Sequence, residues 1–131
     1  MTILQPPSWA KPRGYANGVA ARGTLVFVAG QIGWDEQQRF QTADFVGQCR
    51  QALTNVVAVL AQGGARPEHI VRMTWYVMSR QEYLDAGPAL GKCYREIIGP
   101  HYPAMTAVEV SALMERDARV EIEVTAVVPD A

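Results

Sequence analysis

Glu109, Glu121 and Glu123 each stand between apolar, mostly β-branched neighbours in two alternating stretches near the C-terminus. A carboxylate fixed in such a frame can take a proton from an attacking water and pass it on, the elementary step of many hydrolyses. The plain alternative for each is a solvated glutamate on the polar side of a strand, and alternation alone does not rank the three. Tyr15 offers a phenol that can donate to a substrate oxygen or to a water, or else anchors the first strand as an aromatic. Gly30 precedes Gln31 at the end of an apolar run, where a glycine permits close approach of another group or marks a bulge. Trp34 in the loop that follows can wall a pocket or lie half-buried. Cys49 and Cys93 occupy apolar helical positions far apart in sequence, without CxxC spacing or clustered histidines, so they read as buried thiols and no metal site is expected.

The elements that must position these residues follow from periodicity. Tyr15–Ala21 and Thr24–Ile32 read as two short strands around an Arg22-Gly23 turn, which predicts a hairpin. Phe45, Cys49, Leu53, Val56 and Leu60 recur at three- and four-residue steps before Gly63-Gly64, which predicts an amphipathic helix over Asp44–Gln62. Ile70–Met78 is β-branched and aromatic enough for a buried strand. A second helical pattern runs through Tyr83, Leu84, Leu90, Tyr94, Ile97 and Ile98, with a break expected at Gly87-Pro88. Two last strands, Met105–Leu113 and Arg119–Val128, flank a loop around Met114–Asp117. The order ββαβαββ predicts an α+β domain, a mostly antiparallel sheet with two helices on one face. In the last strand Val120, Ile122, Val124 and Ala126 share one face and Glu121, Glu123, Thr125 and Val127 the other. With the first set under the helices, the second forms an uncovered, semi-polar face suited to pairing with copies of the same chain.

At 131 residues, 49% hydrophobic and 19% charged, the chain has the size and composition of one globular domain spanning 1–131. Met1–Pro12 lacks a long apolar core, so neither a signal peptide nor a membrane span is expected and a cytoplasmic location is the default. A net charge of -1 without a basic stripe speaks against nucleic acid as a partner.

The order and spacing of Arg13-Gly14-Tyr15, Ala29-Gly30-Gln31-Ile32, Gln48, Asn55, Pro103-Ala104 and Val120-Glu121-Ile122 resemble the reactive intermediate deaminases, the RidA/YjgF family. The resemblance covers nearly the whole chain. It implies a chorismate-mutase-like fold, homotrimers with a barrel-like core, and ligand sites in clefts between subunits that use no metal or organic cofactor. It makes Glu121 the carboxylate that holds or activates the attacking water and Tyr15 a phenol near the ligand. It makes Gly30 and Gln31 the segment whose backbone approaches the ligand, with Trp34 a neighbouring wall. Backbone at Thr106 and Ala107 helps to hold the substrate's acid group, and Ala107 stands where relatives often carry cysteine.

Met105 departs from the pattern, because the family has arginine there to grip the carboxylate of an imino acid with a planar fork of permanent charge. Losing such a contact weakens ligand binding by about 2–5 kcal/mol. A small 2-imino acid is therefore expected to bind poorly, and a thioether suits a larger or less acidic ligand. Arg13, Arg116 and Arg119 are the candidate compensating cations, each otherwise a solvated surface arginine. The leading expectation is hydrolysis of a reactive imine or enamine to a carbonyl compound and ammonia. A non-catalytic metabolite-binding protein on the same scaffold is the alternative, and RNA cleavage the least favoured.

Overall fold

The computed structural model describes residues 1–131. Its strands are β1 (Thr2–Leu4), β2 (Gly18–Ala20), β3 (Thr24–Ile32), β4 (Ile70–Val77), β5 (Ala104–Glu109) and β6 (Val120–Val128). Its helices are α1 (Phe45–Gln62), α2 (Arg80–Asp85) and α3 (Gly87–Ile97), with a 3-10 turn at Pro67–His69. The main sheet has the order β3-β6-β4-β5, antiparallel except for the β4/β5 pair. The α+β reading holds, and the second helical pattern divides at Gly87-Pro88 as its proline requires.

The expected N-terminal hairpin does not form. β2 pairs with β1, and β3 pairs along its length with β6, from Thr24 opposite Val128 to Ile32 opposite Glu121. Gly23 explains the turn: its φ is 143° and its Cα lies against the Val128 carbonyl, so the chain is delivered onto the end of β6. A nine-residue apolar strand also gains more by joining the nine-residue β6 than by pairing with the three residues of β2. β5 ends at Glu109 rather than Leu113, because β4 ends at Val77 and the last bond runs from Val110 N–H to Val77 O, 2.9 Å.

α1 starts at an Asp44 cap, whose carboxylate accepts from Gly47 N–H at 2.8 Å. Its stripe of Phe45, Cys49, Ala52, Leu53, Val56 and Leu60 is buried in the core with Val120, Ile122, Val124 and Ala126 of β6, and α1 packs also on β3 and α3. Each large side chain so buried contributes about 1.5–3 kcal/mol. The opposite sheet face keeps Leu25 and Phe27 exposed, Phe27 at 71%. No helix is long and apolar enough to cross a membrane.

Candidate functional site

Glu121 enters its cleft from β6, opposite an irregularity in β3. Between Val28 and Gln31 the β3 ladder slips by one residue, a bulge that turns the Gly30 Cα toward the β6 side chain. The Glu121 carboxylate fills the space that a Cβ at Gly30 would need. Gln31, Trp34, Gln38, Met114 and Glu115 complete the walls of this cleft. α1 holds the Trp34 loop through Asn55, whose Nδ2 donates to Trp34 O at 2.8 Å and to Ile32 O at 3.1 Å. Asp35 closes the loop by accepting from Gln37 N–H, Arg39 N–H and Gln41 Nε2. These bonds, the Arg39 and Gln37 amides foremost, hold the Asp35 carboxyl below its ordinary range. Trp34 rests on Phe40, ring centroids 5.8 Å apart.

The three glutamates separate by their partners. Glu123 accepts from the Tyr76 hydroxyl at 3.2 Å, and that bond to a carboxylate pushes the Tyr76 phenol above its ordinary value. Glu109 accepts from Arg80 N–H at 2.7 Å and so ties β5 to the start of α2. Glu121 has no hydrogen-bond or ion-pair partner in the chain, although it is half-buried. A carboxylate so placed is free to hold a water or a ligand atom.

Tyr15, Met105 and Ala107 line a different cleft, with Arg13, Gly14 and Tyr83. The segment carrying Tyr15 is fixed beside β5 by the Ala16 N–H bond to Pro103 O, 2.9 Å, and the bridge between Ala16 and Ala104. Tyr15 is 42% exposed with its hydroxyl unpartnered. Met105 and Ala107 pair with buried Met73 and Trp75, and so point to the helix side of the sheet. Thr106 pairs with Thr74 on the opposite face and lines neither cleft.

The sequence candidates therefore fall into two groups, Gly30, Gln31, Trp34 and Glu121 in one, Tyr15, Met105 and Ala107 in the other. Glu121 and Met105 stand on opposite sheet faces, with β4 between their strands. At about 4.8 Å per strand step, one small ligand cannot touch both within one chain. Of the candidate cations, Arg119 is bound to Glu82 at 2.7 Å, and Arg116 lies with it around a separate polar depression beside Gln48. Arg13 alone shares a cleft with Met105. Gln38, Met114 and Glu115 lie in loops and Tyr83 on α2, and all four are cleft residues. Neither periodicity nor spacing marks such residues, since long-range packing places them. Both cysteines are buried, and burial pushes their thiols up.

Comparison with known proteins gives the same outline. The family profile described as Endoribonuclease L-PSP matches residues 8–128. A RutC family protein of Synechocystis is 34% identical over 98% of both chains. The 2-iminobutanoate/2-iminopropanoate deaminase of Salmonella typhimurium is 31% identical over 86% of both. A Rid family protein of unknown function from Yersinia pestis, YyfB, superposes with a TM-score of 0.83 at 26% identity, over 97% of this chain and 98% of that one. With a match along almost its entire length and the same fold, the chain belongs to the RidA/YjgF family of reactive intermediate deaminases.

Proposed function

We propose that the protein is a hydrolytic deaminase of a reactive imine or enamine, working as a homotrimer whose clefts are completed between copies. The observation that carries this reading is Glu121: half-buried in a cleft, seated over Gly30 and without a partner. In the proposed reaction Glu121 takes a proton from water as the oxygen adds to the C=N carbon. The proton passes to nitrogen, and the carbinolamine collapses to a carbonyl compound and ammonia. Tyr15 and the Gly30 backbone orient the ligand, and Met105 shapes the wall facing it. The separation of the two residue groups supports assembly, because a second copy is needed to bring a Tyr15–Met105 wall to a Glu121 cleft. The exposed apolar strip of Leu25 and Phe27 is the kind of surface that self-association covers.

The test is the clearance of imines generated in solution by an amino-acid oxidase. Wild type should accelerate it, and Glu121→Gln should abolish the acceleration while leaving the assembled mass unchanged in light scattering. Full activity of Glu121→Gln would end this assignment. One observation favours a second reading, a binding protein without turnover: the thioether of Met105 in place of a forked cation. On that reading Glu121→Gln alters affinity alone. Both histidines are committed to structure, His69 Nδ1 accepting from Arg66 N–H at 3.0 Å and His101 Nε2 bonded to Ile70 O at 2.7 Å. That leaves no histidine pair for RNA cleavage by general acid and base.

A further inference from the structure

Beside Met105 lies a second, open-mouthed apolar pocket that the reaction above does not use. Its volume is about 180 Å³ and its walls are chiefly aromatic and aliphatic: Trp75 from β4, Leu90 and Tyr94 from α3, and Tyr102. Gly14, Tyr83 and Met105 line this pocket and the Tyr15 cleft alike, so the two adjoin at the Met105 side chain. An apolar cavity of ~150 Å³ is enough for a benzene ring.

The walls are built to keep their shape. Tyr94 stacks on Tyr102 with centroids 5.4 Å apart, and its hydroxyl donates to His101 O at 2.6 Å. Tyr83 meets Trp75 edge-on at 6.1 Å. The indole Nε1–H of Trp75 is the chain's one buried side-chain polar atom without a partner. Native cores rarely leave such a donor unpaired, and here it sits within the packing behind the pocket wall. Gly87 and Gly91 of α3 leave the helix side of the pocket unfilled. At the outer end stands Arg13, which makes no ion pair or hydrogen bond and is the one cation on the walls of either space.

We propose that the ligand carries a bulky apolar or aromatic side chain, seated beside Met105 between Trp75, Leu90, Tyr94 and Tyr102, and an acid group held by Arg13. This deepens the deaminase reading and rests on its cleft. Met105 then has a positive role: an arginine there would put a charge at the mouth of an apolar pocket, whereas a flexible thioether packs along an entering hydrocarbon. An acid group at Arg13 gains a forked, permanently charged donor from a neighbouring wall.

The test uses two readouts on the full chain. Calorimetric binding of phenylpyruvate and pyruvate, the carbonyl products expected from an aromatic and a small imine, needs no turnover. Phenylpyruvate should bind at least tenfold tighter than pyruvate. Gly91→Leu adds a side chain to the pocket lining and should shrink that ratio at least fivefold, and the fold accommodates it because a Cβ there meets only the flexible end of Arg95, at 3.2 Å. Replacing a helical glycine favours the helix, and Lys92→Ala on the same helix serves as the control that keeps the ratio. Arg13→Gln should weaken both acids alike. Equal affinities, no binding of either acid, or a ratio untouched by Gly91→Leu overturns the pocket assignment, and unchanged affinities in Arg13→Gln overturn the role of Arg13. The second readout is clearance of phenylalanine- and alanine-derived imines. The expected binding pattern without clearance keeps the pocket and sinks the deaminase reading; equal clearance of both imines keeps the deaminase and sinks the pocket.

Discussion

The carboxylate of Glu121 occupies the place where any residue other than glycine at position 30 would carry its Cβ. The two positions come from different strands, joined only because the β3 bulge between Val28 and Gln31 sets the register of β3 on β6. Gly30→Ala must therefore displace the carboxylate. A misplacement near 1 Å lowers catalytic efficiency by about 10²-fold. The variant should show that loss in imine clearance while its melting temperature stays near that of wild type. A Gly30→Ala protein with full clearance would show that the position of Glu121 does not matter.

Glu123 is the neighbouring control. Its bond to Tyr76 raises the phenol's pKa by favouring the protonated form, so Glu123→Gln should bring Tyr76 down toward its ordinary value of 10.0. A spectroscopic titration of tyrosinate absorbance should show one phenol ionising earlier, with imine clearance retained. Loss of clearance equal to that of Glu121→Gln would spread the role over both carboxylates.

Gln48 is a fully buried polar side chain in the apolar stripe of α1. Its Nε2 donates to Thr42 O at 3.1 Å and Asp117 O at 2.9 Å, and its Oε1 accepts from Arg119 N–H at 2.7 Å, so it fastens the entrance of β6 to α1. Gln48→Leu strips partners from those backbone groups, and each one left unsatisfied costs about 1–3 kcal/mol. Denaturant unfolding should show a lower midpoint with an unchanged slope.

Asp35 links pH to the Trp34 loop. Its folded pKa is depressed below the ordinary 3.8, so the stabilisation it gives the loop is fully present above that value. It is lost as pH falls through the folded value. Amide shifts of Gln37 and Arg39 should move together only in that acidic window, and Asp35→Asn should remove the transition. A loop transition at neutral pH would contradict the assignment.

Cys49 and Cys93 are buried with thiols pushed up by desolvation, so neither should react with iodoacetamide in the folded protein at pH 8. Both should react once guanidinium unfolds the chain. Fast labelling of the native protein would mean that the α1/α3 contact opens.

Local pattern was enough for the long elements. α1 appears in the spacing of Phe45, Cys49, Leu53, Val56 and Leu60, and the division of β6 into a buried and an open face appears in its alternation, because each depends on a period of the backbone itself. Motif order pointed to Glu121, Tyr15, Gly30 and Met105. Sequence did not reveal that β3 leaves its neighbour β2 for β6, since strand partners are chosen by the area they bury together, whatever their separation along the chain. Nor did it separate three glutamates with like neighbours, of which only Glu121 is left without a partner. The two groups of candidate residues lie on opposite faces because β4 sets Tyr76 against Glu121 and Met73 against Met105, and Arg13 shares a cleft with Met105 because Ala16 is pinned to Pro103. These are long-range contacts, and tertiary packing alone decides them.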